Sequence, residues 1–177
     1  MDIKFFNYSL LLLAVGAYFI PVDNVAKNSD IKDIPLVIFE KPLMYTLNDK
    51  NLSRVVDASH AVRYKSRDEM YDANILLKNN LEEKDYKVET LKAQVIIKKG
   101  DDLTLRKDVK YNRDDFINLN TDALDYNIIT KVAKNSVPYD GYYYNNTIKG
   151  TNLYLDGTKN YMKSNKVHFE VEVKNKK

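Results

Sequence analysis

Two histidines, His60 and His168, and two aspartate pairs, Asp101-Asp102 and Asp114-Asp115, are the side chains that could do acid–base or metal chemistry in this chain. Each histidine lies inside an alternating apolar/polar run, with no carboxylate or second histidine at ligand spacing beside it. Zinc sites need three or four such groups converging, so both read as strand histidines. The aspartate pairs fall in turn-like stretches, where Asp is favoured because its carboxylate hydrogen-bonds nearby backbone. No GxSxG, HExxH, Walker or GxGxxG pattern occurs. The chain has no cysteine, which excludes a disulfide framework, thiolate catalysis and a Cys-linked lipid anchor. Catalytic residues, metal ligands and cofactors are therefore all read as none. A net charge of +3, with no dense Lys/Arg stripe, gives no footprint for a phosphate backbone, so nucleic acid is not an expected partner.

The informative feature is the alternation itself. In residues 90–111, Leu91, Ala93, Val95 and Ile97 alternate with Lys92, Gln94, Ile96 and Lys98. Gly100-Asp101-Asp102 then breaks the run, and Leu103, Leu105, Val109 and Tyr111 resume it. Period-two patterning on both sides of a Gly/Asp turn predicts two antiparallel strands, each with one apolar face. The same unit recurs at Val62/Tyr64, Ile75/Leu77, Leu124/Tyr126, Val137/Tyr139, Leu153/Leu155 and Val167/Phe169, mostly about 14 residues apart. Turn chemistry falls between the units at residues 78–80, 112–115, 140–141, 156–157 and 163–165. A strand–turn array of this kind is a sandwich, a jelly roll or a β-solenoid-like stack. By strand parity the inward set is Val56, Ala58, Val62, Tyr64, Ile75, Leu77, Leu91, Ala93, Val95, Ile97, Leu105, Val109, Leu124, Tyr126, Ile128, Leu153, Leu155, Val167 and Phe169. Such faces either fill one another or line a groove for acyl chains, and periodicity does not choose between the two.

Four segments are expected. Residues 1–22 form an apolar stretch, about 30 Å long as a helix, which reads as a transmembrane anchor stopped by Pro21 and Asp23. The alternative is a cleaved signal peptide, with residues 15–17 as the small-residue site, but Tyr18, Phe19 and Ile20 prolong the apolar run past it. Residues 23–33 are a polar tether, residues 34–173 the β domain and residues 174–177 a solvated tail. Within the domain, residues 34–39 are held to a sheet edge by Pro35 and Pro42. Residues 55–64 read as one strand, residues 67–72 as a possible helical turn, residues 116–120 and 122–130 as separate strands, and residues 135–144 as irregular. The last alternating segment, Lys166, Val167, His168, Phe169, Glu170, Val171, Glu172 and Val173, has no Pro or Gly to blunt it and reads as an edge open to a partner strand.

The order of these motifs resembles the LptC family, the membrane-anchored subunit of the lipopolysaccharide-export ABC transporter. An anchor is followed by one repetitive β domain. Residues 52–64 (LSRVVDASHAVRY), 86–95 (YKVETLKAQV), 108–112 (DVKYN), 118–126 (NLNTDALDY), 148–153 (IKGTNL) and 165–169 (NKVHF) resemble the family's successive strands. The resemblance implies an all-β, twisted, partly open jelly roll of the kind shared with the pathway's bridge protein, preceded by one transmembrane helix. It implies a non-catalytic subunit of the inner membrane with its β domain in the periplasm. Its implied partners are lipopolysaccharide, the ABC transporter subunits and the periplasmic bridge protein. The C-terminal edge would dock the bridge. Alternatives are the soluble bridge protein itself, a polysaccharide-active β protein, or a purely structural one. On the transfer reading, Val95→Asp or Leu124→Asp blocks lipid occupancy in a folded protein.

Overall fold

Strands account for 75% of the described residues, as the alternation demands. They are β1 (Val37–Glu40), β2 (Leu43–Leu47), β3 (Leu52–Asp57), β4 (His60–Arg63), β5 (Asp68–Lys78) and β6 (Val88–Lys99), followed by β7 (Asp102–Arg113), β8 (Ile117–Asn127), β9 (Val132–Lys134), β10 (Pro138–Tyr143), β11 (Asn146–Asp156) and β12 (Tyr161–Glu170). The computed structural model describes residues 33–47, 52–79, 87–114 and 116–171. The chain divides into two units, Met1–Ile34 and Pro35–Lys177, and all the described strands belong to the second. The expected anchor, nearly all of the tether, and Glu172, Val173 and the tail lie outside the described residues.

All pairings are antiparallel, in one sheet ordered β1-β4-β5-β6-β7-β8-β10-β11-β12. The short strands pair with only half of a long neighbour. β3 lies on the second half of β5, through Val56↔Ile75, and β4 on the first half, through Ala61↔Met70. β10 pairs with the start of β8, and β9 with its end. The sheet is therefore two half-sheets sharing β5, β6, β7, β8, β11 and β12.

The halves fold face to face, and register proves it. Tyr126 is paired with Leu103, and Glu89 with Arg113. Leu103 and Arg113 are both on β7, and an extended strand would hold them roughly 33 Å apart. Yet the Tyr126 hydroxyl donates to Glu89 Oε2 at 2.7 Å. The crease is a line of irregularities: Asp72 in β5 (φ 47°), Lys107 and Asp108 in β7 (φ 64° and 49°), Asn152 in β11 (φ 53°) and Lys166 in β12 (φ 48°). Left-handed backbone disfavours β-branched residues and is tolerated best by Asn and Asp. An extra residue bends a strand and inverts its parity. Hence Met70 is buried before the bend in β5, and Ala73, Ile75 and Leu77 after it. The interior is one hydrophobic cluster drawn from both halves. This is a β jelly roll.

Several sequence expectations change. Residues 55–64 split into β3 and β4, because Ser59 N donates to Tyr71 O at the crease. Residues 67–72 make no helical turn, and from Asp68 onward they belong to β5. Residues 116–130 hold one strand, β8, and a turn. Residues 163–165 are inside β12, where their turn-like composition marks the bulge beside Lys166. Residues 112–113 belong to β7 rather than to a turn.

Gly141 sits where β10 pairs with β8, opposite Leu119, and a Cβ there would overlap the Asn118 carbonyl oxygen. Backbone cannot swing aside as a side chain can. Gly141→Ala should therefore cost about 1–3 kcal/mol of stability, read as a lower thermal midpoint. An unchanged midpoint would show that this strand pairing is not tight.

Candidate functional site: an apolar cavity, an ionic staple and an open edge

The chain passes from one half-sheet to the other at Lys41 and Pro42, so β1 pairs with β4 and β2 with β3. A cavity of about 230 Å³ opens between the halves at this edge. Its apolar lining comes from Phe39 of β1, Met44 of β2, Val56 of β3, Val62 of β4, Met70 and Ile75 of β5, Leu103 of β7, and Ile128. Arg54, Arg63, Asp68 and Lys98 add polar groups. Arg63 makes two hydrogen bonds to Asp68, at 2.7 and 3.1 Å, and Lys98 Nζ donates to the Gly100 carbonyl at 2.6 Å. Phe39 and Met44 remain exposed, with Ile38, Leu43 and Tyr45 beside them, so an apolar surface leads to the cavity.

Towards the middle of the sheet the interior is packed, and it contains a charge cluster. Glu89 of β6 and Arg113 of β7 are both 0% exposed and joined by a 2.8 Å contact from Nη2 to Oε1. Tyr111 Oη donates to Oε1 at 2.6 Å and Tyr126 Oη to Oε2 at 2.7 Å. Lys131 Nζ stands 3.4 Å from Oε2. Burial pushes the Glu89 carboxyl upward, but Arg113, the Tyr111 hydrogen bond, Lys131 and the Tyr126 hydrogen bond outweigh it, and its pKa lies below the ordinary value. Tyr126 and Lys131 belong to one half-sheet, Glu89 and Arg113 to the other, so the cluster staples the layers. Gly157 makes room for it, since a Cβ there would overlap the Arg113 guanidinium.

This cluster escaped the sequence reading because residues 112–115 look like a turn. A signal existed: Glu89 has the parity of Leu91 and Ala93, and Arg113 that of Val109 and Tyr111. Opposite charges on two apolar faces point to a buried pair.

Of the residues assigned inward, Val56, Val62, Ile75 and Ile128 line the cavity. Ala58, Leu77, Leu91, Ala93, Leu105, Val109, Leu124, Tyr126, Leu153 and Leu155 are buried in the packed core. Tyr64 is half-buried, stacked under Arg67 with the guanidinium carbon 4.2 Å from the ring centre. Val95 and Ile97 are corrected. Both are half-buried, and Ile96 is the fully buried residue, opposite Met70 and Leu105. The crease at residues 92–95 inverted the parity of β6. A buried charge costs far more than a partly solvated one. Ile96→Asp should thus destabilise the fold by at least about 2 kcal/mol more than Val95→Asp, and equal denaturant midpoints would contradict the assignment.

Val167 and Phe169 are 48% and 44% exposed and lie outside the packed core. Phe169 is paired with buried Ile148, so it shares the inner face. It stays uncovered because β12 is bonded to β11 alone among the described strands. The polar candidates carry local contacts. His60 Nδ1 is 3.0 Å from Glu40, and His168 Nε2 is 2.8 Å from Glu170. Asp114 accepts from the amides of Lys87 and Val88, both at 2.9 Å. Among the described residues no three His, Asp or Glu side chains converge, and no helix is long and apolar enough to cross a membrane.

The described strands thus form a creased β jelly roll with an apolar cavity at one edge and an uncovered apolar strand at the other. The family described as "Lipopolysaccharide-assembly, LptC-related" matches residues 10–168, and the chain belongs to that family. It is thereby a lipopolysaccharide-transport component of cell-envelope biogenesis. No curated protein matches the chain.

Proposed function

We propose that this chain is a non-catalytic transfer subunit, held at the inner membrane by residues 1–22 with its β domain in the periplasm. It takes lipopolysaccharide from an ABC transporter and hands it to a periplasmic bridge protein. The observation that carries this reading is the arrangement of one apolar interior between two unfinished sheet edges. Burying about ten methylenes of an acyl chain gains roughly 8 kcal/mol, enough to hold a lipid without chemistry. Hydrolysis of ATP in the transporter would drive the flow.

The cavity of about 230 Å³ admits part of one chain. Onward passage needs the half-sheets to part, and the Glu89 staple, on β6 and β7, stands between the cavity and β12 in strand order. Native mass spectrometry of the full chain in non-ionic detergent, titrated with short-sugar lipopolysaccharide, tests the reading. A one-to-one adduct, lost in Val62→Asp, is expected. No adduct, or one indifferent to Val62→Asp, would contradict it.

A further inference from the structure

Arg54 is a cation that lines the cavity. It lies on β3 two residues before Val56 and shares that residue's inner face, opposite buried Leu77. Its Nε is buried and has no hydrogen-bond partner among the described residues. The other charges at the cavity have partners: Arg63 holds Asp68, and Lys98 holds the Gly100 carbonyl. A buried guanidinium donor without an acceptor carries a desolvation cost that an anion would offset. The planar fork of guanidinium N–H groups matches the oxygens of a phosphate.

We propose that Arg54 binds the phosphate of an acylated lipid whose chain fills the cavity. The inference rests on the lipid-transfer reading above and adds to it a residue that selects for the anionic group. The chain enters between Met44 and Val62, against Met70 and Ile75, and the phosphate stops at Arg54. Arg54 thereby sets both the depth of insertion and the preference for phosphorylated over neutral amphiphiles.

The test uses the full chain with carbon-13-labelled methionine methyl groups and two probes below their micelle concentrations, dodecyl phosphate and dodecyl maltoside. Shifts of the Met44 and Met70 methyl signals report occupancy of the cavity. Wild type should bind dodecyl phosphate about tenfold or more tightly than the maltoside. Arg54→Gln should remove that preference by weakening dodecyl phosphate binding, and Arg54→Lys should retain part of it. Equal affinities in wild type, or a preference that survives Arg54→Gln, would overturn the role of Arg54 and leave the lipid cavity standing. If neither probe moves the methionine signals, both this inference and the cavity's part in lipid transfer fall. Should Arg54→Gln not fold, Arg54→Lys decides: a preference undiminished in that variant would overturn the role of Arg54.

Discussion

Glu89→Gln is expected to lower the stability of the β domain by about 3–5 kcal/mol, because it leaves the Arg113 guanidinium buried without its counter-charge. For a chain of this size that is a fall in melting temperature on the order of 10 °C. The pH dependence follows from the lowered carboxyl of Glu89. Its folded pKa lies below its unfolded one, so its contribution is fully present above the ordinary value of 4.5. That contribution is lost as the pH falls through the lowered folded value. Wild type should therefore lose stability as the pH falls from the ordinary carboxyl value of 4.5 through the lowered folded value, and Glu89→Gln should lose less over the same fall. In a double-mutant cycle, Arg113→Gln should cost less in the Glu89→Gln background than in wild type, because no lone charge then remains at that pair. Additive effects, or a variant melting with wild type, would show that the cluster does not hold the layers together.

Deleting residues 167–177, or placing proline at Phe169, is expected to abolish binding of the bridge protein while association with the transporter survives. β12 ends the sheet, and Val167, Phe169 and Val171 leave apolar surface uncovered there. Unpaired backbone groups along such an edge accept another strand. A partner strand would cover Phe169 and continue the face of its paired neighbour Ile148. Proline removes a backbone donor and distorts the ladder. Co-purification of each partner with full-length and truncated chains separates the two interfaces. Retention of bridge binding by the truncated chain would move the docking site elsewhere.

Much of this architecture was legible in the alternation. Leu91, Ala93, Leu105, Val109, Leu124, Leu153 and Leu155 carry the period-two signal and are all buried. What the period could not supply was the crease. One extra residue changes the parity of everything beyond it, and Gln94 and Asp108 look like ordinary polar positions in a strand. For that reason the alternation points Val95 and Ile97 inward where Ile96 belongs. The resemblance to the LptC family came from the order of weak strand motifs, and the family match spans the same region. The cavity needed β1 and β2 on opposite half-sheets, a long-range pairing that local sequence does not encode. Arg113 was hidden by its neighbours, since Asn112 and Asp114 made a strand end resemble a turn.

On the transfer reading, the inner face of the jelly roll carries the lipid. The direct measurement is photo-crosslinking of lipopolysaccharide in membranes containing the intact transport complex, with a photoreactive residue at Val62, Met70 or Phe169 on the inner face and at Gln94 or Lys110 on the outer. Labelling at the three inner positions that depends on ATP, with none at the outer two, is the predicted result. Labelling confined to Gln94 and Lys110, or equal at all five positions, would contradict the account.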